Sequence, residues 1–142
     1  MDKLIVHAET EELDKVLNFI SNQLKTYNFS KKFEIQLELA TEEIFVNISN
    51  YAYKKDSKNN EVAIYSFFNE DNSTLTVKFV DNGIPFNPLE EKIPNTTLDS
   101  ETREIGGLGI FLARRNVDEI NYQYKKGNNV LTFKKLLKWI KN

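Results

Sequence analysis

Apolar residues along this chain recur with two different periods. Leu13, Val16, Leu17, Ile20 and Leu24 follow the spacing of one helical face. A longer stripe of Phe33, Leu37, Ala40, Ile44, Asn47 and Tyr51 alternates steps of four and three. Thr10 stands where it can cap the first helix and Ser30 where it can cap the second, because a hydroxyl ahead of the first turn can accept a free backbone N–H. A short β-like run, residues 4–8, precedes them. Residues 62–68 are rich in aromatic and β-branched types, and residues 74–80 alternate Leu75, Val77 and Phe79 with polar neighbours. Asn69-Glu70-Asp71-Asn72-Ser73 between these runs reads as a hairpin connection. After Asp81-Asn82-Gly83-Ile84-Pro85-Phe86-Asn87-Pro88 come roughly 17 mostly polar residues without periodicity, a length more typical of a lid or binding loop than of a connector. Gly106-Gly107-Leu108-Gly109 then opens a third helix through Ile110, Phe111, Ala113 and Val117. Two last strands, residues 119–124 and 130–134, flank the turn Lys125-Lys126-Gly127-Asn128-Asn129. The order predicts an α/β (α+β) two-layer sandwich: a mixed, mostly antiparallel sheet with about three helices covering one face.

Composition narrows the classes. The 142 residues carry 19 Lys+Arg against 21 Asp+Glu, a net charge of −2, and no cysteine. A single domain spanning residues 1–142 is expected, long enough to bury a core without disulfides or a structural metal. Cysteine-based zinc and disulfide frameworks are excluded. The near-neutral balance argues against direct nucleic-acid binding. The first residues lack the apolar core of a signal peptide, and no run approaches the roughly 20 apolar residues of a membrane span. The expectation is a cytoplasmic protein with no membrane partner.

Three places could carry chemistry. On the second helix, Glu43 lies about 40° from Asn47 around the axis, whereas Glu42 lies about 140° away. Asn47 interrupts an apolar stripe, where an amide needs a partner. Its carboxamide oxygen suits a hard cation such as Mg²⁺, and a carboxylate one turn away could act as a base; the plainer reading is a buried-edge Asn beside a surface Glu. Asp81 ends a hydrophobic strand and could accept a hydrogen bond from an exocyclic amine, with Gly83 permitting close backbone approach or positive φ. Asp-Asn-Gly is equally a common turn sequence. Gly106-Gly107-Leu108-Gly109 leads into a helix, placing free amides and the positive end of the dipole where a phosphate could dock. Taken by itself, it could also be a flexible helix entry.

In order and spacing, these three segments resemble the boxes of the Bergerat-fold ATP-binding superfamily, and within it the bacterial anti-sigma-factor serine kinases. Glu43-Ile44-Phe45-Val46-Asn47 with Tyr51-Ala52-Tyr53 resembles the N box, and Asp81-Asn82-Gly83-Ile84-Pro85-Phe86 the first glycine box. Residues 105–115 with Asp118-Glu119 resemble the second glycine box. The resemblance implies ATP and Mg²⁺ as cofactors, Asn47 as metal ligand, and Glu43 as the base that deprotonates the acceptor. It implies Asp81 on the adenine amine, Gly83 and Ile84 packed near the base, and Gly106, Gly107, Leu108 and Gly109 at the phosphates. Residues 87–105 would be the ATP lid.

The same resemblance implies a serine on an anti-anti-sigma protein as phosphoacceptor, a sigma factor as the alternative partner, and a possible homodimer through the first strand. Relatives often carry an Asp where this chain has Asn87, a His where it has Tyr51, and a Thr near Asn128-Asn129, so no role is assigned in that last region. Arg103 could reach a phosphate or a partner, or be solvated. A non-catalytic switch that binds ATP and exchanges partners without transferring phosphate is the competing reading. An inert Glu43→Gln substitution would favour it.

Overall fold

The computed structural model describes residues 1–27, 29–54, 57–90 and 107–137. The strands are β1 (Asp2–His7), β2 (Glu61–Asn69), β3 (Thr74–Asp81), β4 (Glu119–Lys125) and β5 (Asn128–Leu136). The helices are α1 (Leu13–Lys25), α2 (Lys31–Tyr51) and α3 (Gly107–Asn116), with 3-10 turns at Thr10–Glu12 and Pro88–Glu90. The strands form one sheet in the order β1-β2-β3-β5-β4, and every neighbouring pair is antiparallel. The two-layer α+β expectation therefore holds, and the sheet is antiparallel throughout rather than mixed.

Alternation along the strands decides which face is covered. Val62, Ile64 and Ser66 of β2, Leu75, Val77, Phe79 and Asp81 of β3, and Asn129, Leu131, Phe133 and Lys135 of β5 are buried, while their neighbours face outward. Against this face lie Val16, Ile20 and Leu24 of α1, Leu37, Ala40, Ile44, Phe45 and Ile48 of α2, and Ile110 and Ala113 of α3. Burying each large side chain contributes about 1.5–3 kcal/mol, so Phe45, Phe79 and Phe133, all fully enclosed, anchor the two layers. Among the described residues no helix is long and apolar enough to cross a membrane.

Local chemistry explains most boundaries. The Ser30 hydroxyl accepts the Phe33 N–H at 3.4 Å, the expected cap of α2. Thr10 does not cap α1: it lies inside a 3-10 turn, and Glu12 precedes the helix without a side-chain cap. The β4–β5 connection is tighter than expected, because Lys126 (φ 53°) and Gly127 (φ 81°) both adopt positive φ and close a two-residue hairpin. Asn128 and Asn129 consequently belong to β5 instead of the turn. Val117 lies beyond α3, which ends at Asn116.

At that end Lys135 is buried and donates from Nζ to the Asn116 carbonyl oxygen at 2.7 Å, over the Phe33 ring. An ammonium at the negative end of a helix is favourable. Desolvation pulls the Lys135 pKa below its ordinary value, partly opposed by Asp118. The contact fixes α3 against β5.

Candidate functional site

The end of β3, the C-terminal part of α2 and the start of β5 converge on one cavity. Its walls include Ile44, Asn47 and Ala52 from α2 and its C-cap, Phe79 and Asp81 from β3, and Leu131 and Asn129 from β5. Phe86, Pro88 and Tyr122 close it. Its free volume is about 20 Å³, room for a water molecule or so but not for a purine.

Asp81 is only 4% exposed. Its Oδ1 accepts the Gly83 N–H at 2.9 Å and the Asn129 Nδ2–H at 2.8 Å, and among the described residues no donor reaches Oδ2. Burial pushes the carboxyl above its usual range, while the donors from Asn129 and Gly83 oppose that shift. One oxygen is thus fixed by the fold and the other is left as an acceptor in an apolar enclosure.

Asn47 is 5% exposed and supplies a second acceptor. Its Nδ2 donates to the Glu43 carbonyl oxygen at 2.9 Å, which fixes the orientation of the amide, since a carbonyl can only accept. Its Oδ1 is buried and has no hydrogen-bond partner. An orphaned amide oxygen is costly unless a ligand or ion completes it.

Glu43, one turn earlier, does not line this cavity; it is half-buried beside α3. Its carboxyl is pushed up to about 7, first by desolvation and then by the nearby Glu42, with the Ala113 backbone opposing. Its Oε2 is also buried without a partner. Glu43 and Asn47 stand one turn apart on α2, and of the two only Asn47 lines the cavity.

Gly83 is where the two boxes touch. A Cβ there would sit 2.1 Å from the Ala52 carbonyl oxygen and 2.7 Å from its carbon. The same carbonyl accepts the Ile84 N–H at 2.8 Å. Close backbone approach, one of the two reasons expected for this glycine, is what the fold uses; its partner here is the C-cap of α2. Ile84 lies at the rim, its side chain about half exposed. Behind the rim the Tyr53 hydroxyl lies 2.7 Å from both the Glu61 carbonyl oxygen and Asn82 Oδ1, and accepts the Asn82 N–H at 3.0 Å. Desolvation pushes this phenol up to about 12.

Gly107, Leu108 and Gly109 form the first turn of α3, so their backbone is where a phosphate-facing helix entry was expected. Gly106, Arg103 and the lid positions from residue 91 onward lie outside the described residues.

Sequence reasoning missed Asn129 and Tyr122. The Asn129 carboxamide uses all of its capacity: Nδ2 donates to Asp81 Oδ1 and to the Ile84 carbonyl oxygen, each at 2.8 Å, and Oδ1 accepts the Phe86 N–H at 3.1 Å and the Tyr122 hydroxyl. A signal was present. Lys126-Gly127 can close a two-residue turn, which starts the strand early and puts Asn129 on the same face as Leu131 and Phe133.

Comparison with known proteins gives the family and the fold. The family model described as the histidine kinase-like ATPase domain matches residues 6–135. The serine-protein kinase RsbW of Listeria monocytogenes serovar 1/2a (strain ATCC BAA-679 / EGD-e) is 29% identical over 110 residues, covering 75% of this chain and 68% of that protein. The crystal structure of the RsbU and RsbW domains of Rv1364c from Mycobacterium tuberculosis shares the fold, with a TM-score of 0.63 at 16% identity. The similarity covers 99% of this chain and 35% of that one, so the chain spans about a third of the larger protein.

Proposed function

Because the chain belongs to the histidine kinase-like ATPase family, we propose that it binds ATP in the Asp81 cavity and transfers the terminal phosphoryl group to a serine of an anti-anti-sigma protein, with a sigma factor as the alternative partner. The observation that carries this reading is a pair of acceptors on one cavity: the buried Asp81, whose Oδ1 takes both donors that the fold supplies, and Asn47 Oδ1, buried without a partner. The similarity to a serine-protein kinase supports the choice of reaction.

Each residue has a distinct task in this reading. Asp81 accepts the exocyclic amine of adenine, which a guanine carbonyl oxygen cannot imitate. Gly83 keeps the segment after β3 seated on Ala52, so that Asp81 meets the base at a fixed height. The amides at the start of α3, around Gly107 and Gly109, are suited to phosphate oxygens. Asn47 fits a hard divalent cation: its oxygen is buried, unpartnered and locked in orientation by the donation to Glu43. Mg²⁺, when bound, neutralises developing charge on the phosphates. Glu43 takes the proton from the acceptor hydroxyl; with its pKa near 7, the base is present in quantity at neutral pH without being too weak to act. Phosphoryl transfer asks mainly for positioning and charge neutralisation, which this residue set supplies. β1, paired with β2 on one side only, offers the outer strand edge through which a homodimer would form.

The test is incubation with γ-labelled ATP, Mg²⁺ and candidate anti-anti-sigma domains, wild type beside Glu43→Gln, with nucleotide binding followed in parallel. Label on a serine with wild type alone supports kinase and base together. Binding without transfer to any candidate replaces the kinase with a nucleotide-gated partner switch, and absence of nucleotide binding overturns the reading.

A further inference from the structure

The carboxylate that would meet the base does not hold itself. Asp81 ends β3, the central strand, at the cavity, and two donors fix it: the Gly83 amide from its own turn and the Asn129 carboxamide from the adjacent strand. The register pairs Asp81 with Asn129 across β3 and β5, so the contact is built into the sheet. The other Nδ2 hydrogen of Asn129 goes to the Ile84 carbonyl oxygen, and its Oδ1 takes the Phe86 N–H. These are backbone groups of the segment that closes the cavity. The donor-only Phe86 N–H and the acceptor-only Ile84 carbonyl fix which end of the amide is oxygen, and the Tyr122 hydroxyl, from β4, donates to the same Oδ1.

We propose that Asn129 is a positioning residue for nucleotide recognition: one carboxamide holds Asp81 Oδ1 and the Ile84–Phe86 backbone together, so that Asp81 Oδ2 alone faces the base and the cavity wall closes at a fixed distance from it. The inference rests on the nucleotide-binding reading and deepens it. Asn129 touches no reacting atom, and its effect on the base passes through Asp81. An aspartate in its place would put an acceptor against Asp81 Oδ1 and the Ile84 carbonyl oxygen, and an aliphatic residue would leave three polar groups without this partner and Asp81 Oδ1 with the Gly83 N–H alone. The amide is the side chain of this size with two donors on one side and an acceptor on the other.

A residue that merely stabilises the fold would weaken all nucleotides alike, whereas one that aims Asp81 controls how strongly a single amine is read. The experiment compares the affinity of the full chain for ATP with that for purine riboside triphosphate, which lacks only the 6-amino group. Wild type, Asp81→Asn and Asn129→Leu are measured, with thermal unfolding as the check that each is folded. Wild type should favour ATP by about tenfold or more, the scale of a hydrogen bond to a charged group. Asp81→Asn should lower that preference. Asn129→Leu should reduce it to within about threefold by weakening ATP more than the analogue. If Asn129→Leu does not fold, Asn129→Ser carries the same comparison. A folded Asn129 variant that keeps the wild-type preference overturns the inference while leaving the nucleotide site intact. Wild type that binds neither nucleotide, or both equally, overturns instead the reading of Asp81.

Discussion

Glu43 and Asn47 share a helical face, but the tasks proposed for them rest on different causes. Desolvation raises the Glu43 carboxyl to about 7, so it is protonated below that pH and cannot accept a proton there. Phosphorylation by the wild type should therefore rise with pH and level off above about 8, and at pH 6 kcat/KM should be roughly a tenth of the plateau. A rate that is flat from pH 5.5 to 8.5 would remove Glu43 from the role of base. Glu43→Gln keeps the size and removes the basicity; it should bind ATP within about threefold of wild type and transfer at least a hundredfold more slowly. For Asn47 the readout is metal dependence. Wild type should bind ATP more tightly when Mg²⁺ is added, and Asn47→Ala should lose that increment while its affinity for metal-free ATP changes little. Equal enhancement by Mg²⁺ in both proteins would take the metal away from Asn47.

At the scale of elements, the decisive contact is between the C-cap of α2 and the turn after β3. The Ala52 carbonyl oxygen accepts the Ile84 N–H and occupies the space where a Gly83 side chain would stand. Both atoms nearest the added Cβ in Gly83→Ala belong to backbone, so the two elements must separate. Overpacking of this kind costs about 1–3 kcal/mol, which for a chain of this size lowers Tm by roughly 3–9 °C. Because Asp81 lies two residues away, nucleotide affinity should fall with it; an unchanged Tm in calorimetry would contradict the geometry.

The same contact shows what the sequence could and could not reveal. The stripe from Phe33 to Tyr51, the capping Ser30 and the alternation in β3 are local patterns, and each appears in the structure where periodicity places it. The reason for Gly83 was legible as a need for close approach, but its neighbour, Ala52, is set by how α2 packs on the sheet. Asn129 was lost because five polar residues in succession look like one turn, whereas positive φ at Lys126 and Gly127 confines the turn to two. Lys135, buried against the end of α3, reads as surface from its charge. These are tertiary facts: a polar side chain in the core is explained by a partner far away in sequence.

For the molecule as a whole, the site is a junction and not an appendage. The cavity takes walls from α2, β3, β4 and β5, so a ligand seated there holds together elements from both layers. Its present free volume, about 20 Å³, is that of a water molecule or so, and a purine that binds there as proposed must widen it. In the proposed reading, affinity is the difference between what the nucleotide gains from Asp81, Asn47 and the amides of α3 and what this opening costs. A ligand that binds only the folded state raises stability by about 2.7 kcal/mol at a hundred times its Kd. For 142 residues this corresponds to a rise in Tm of roughly 6–10 °C. ATP with Mg²⁺ should produce that shift in wild type, GTP should produce little because its carbonyl oxygen would face Asp81, and Asp81→Asn should lose the shift with ATP. Equal shifts from ATP and GTP would mean that the triphosphate alone is bound and the cavity stays closed, placing recognition at α3 and leaving the Asp81 junction with a purely structural role.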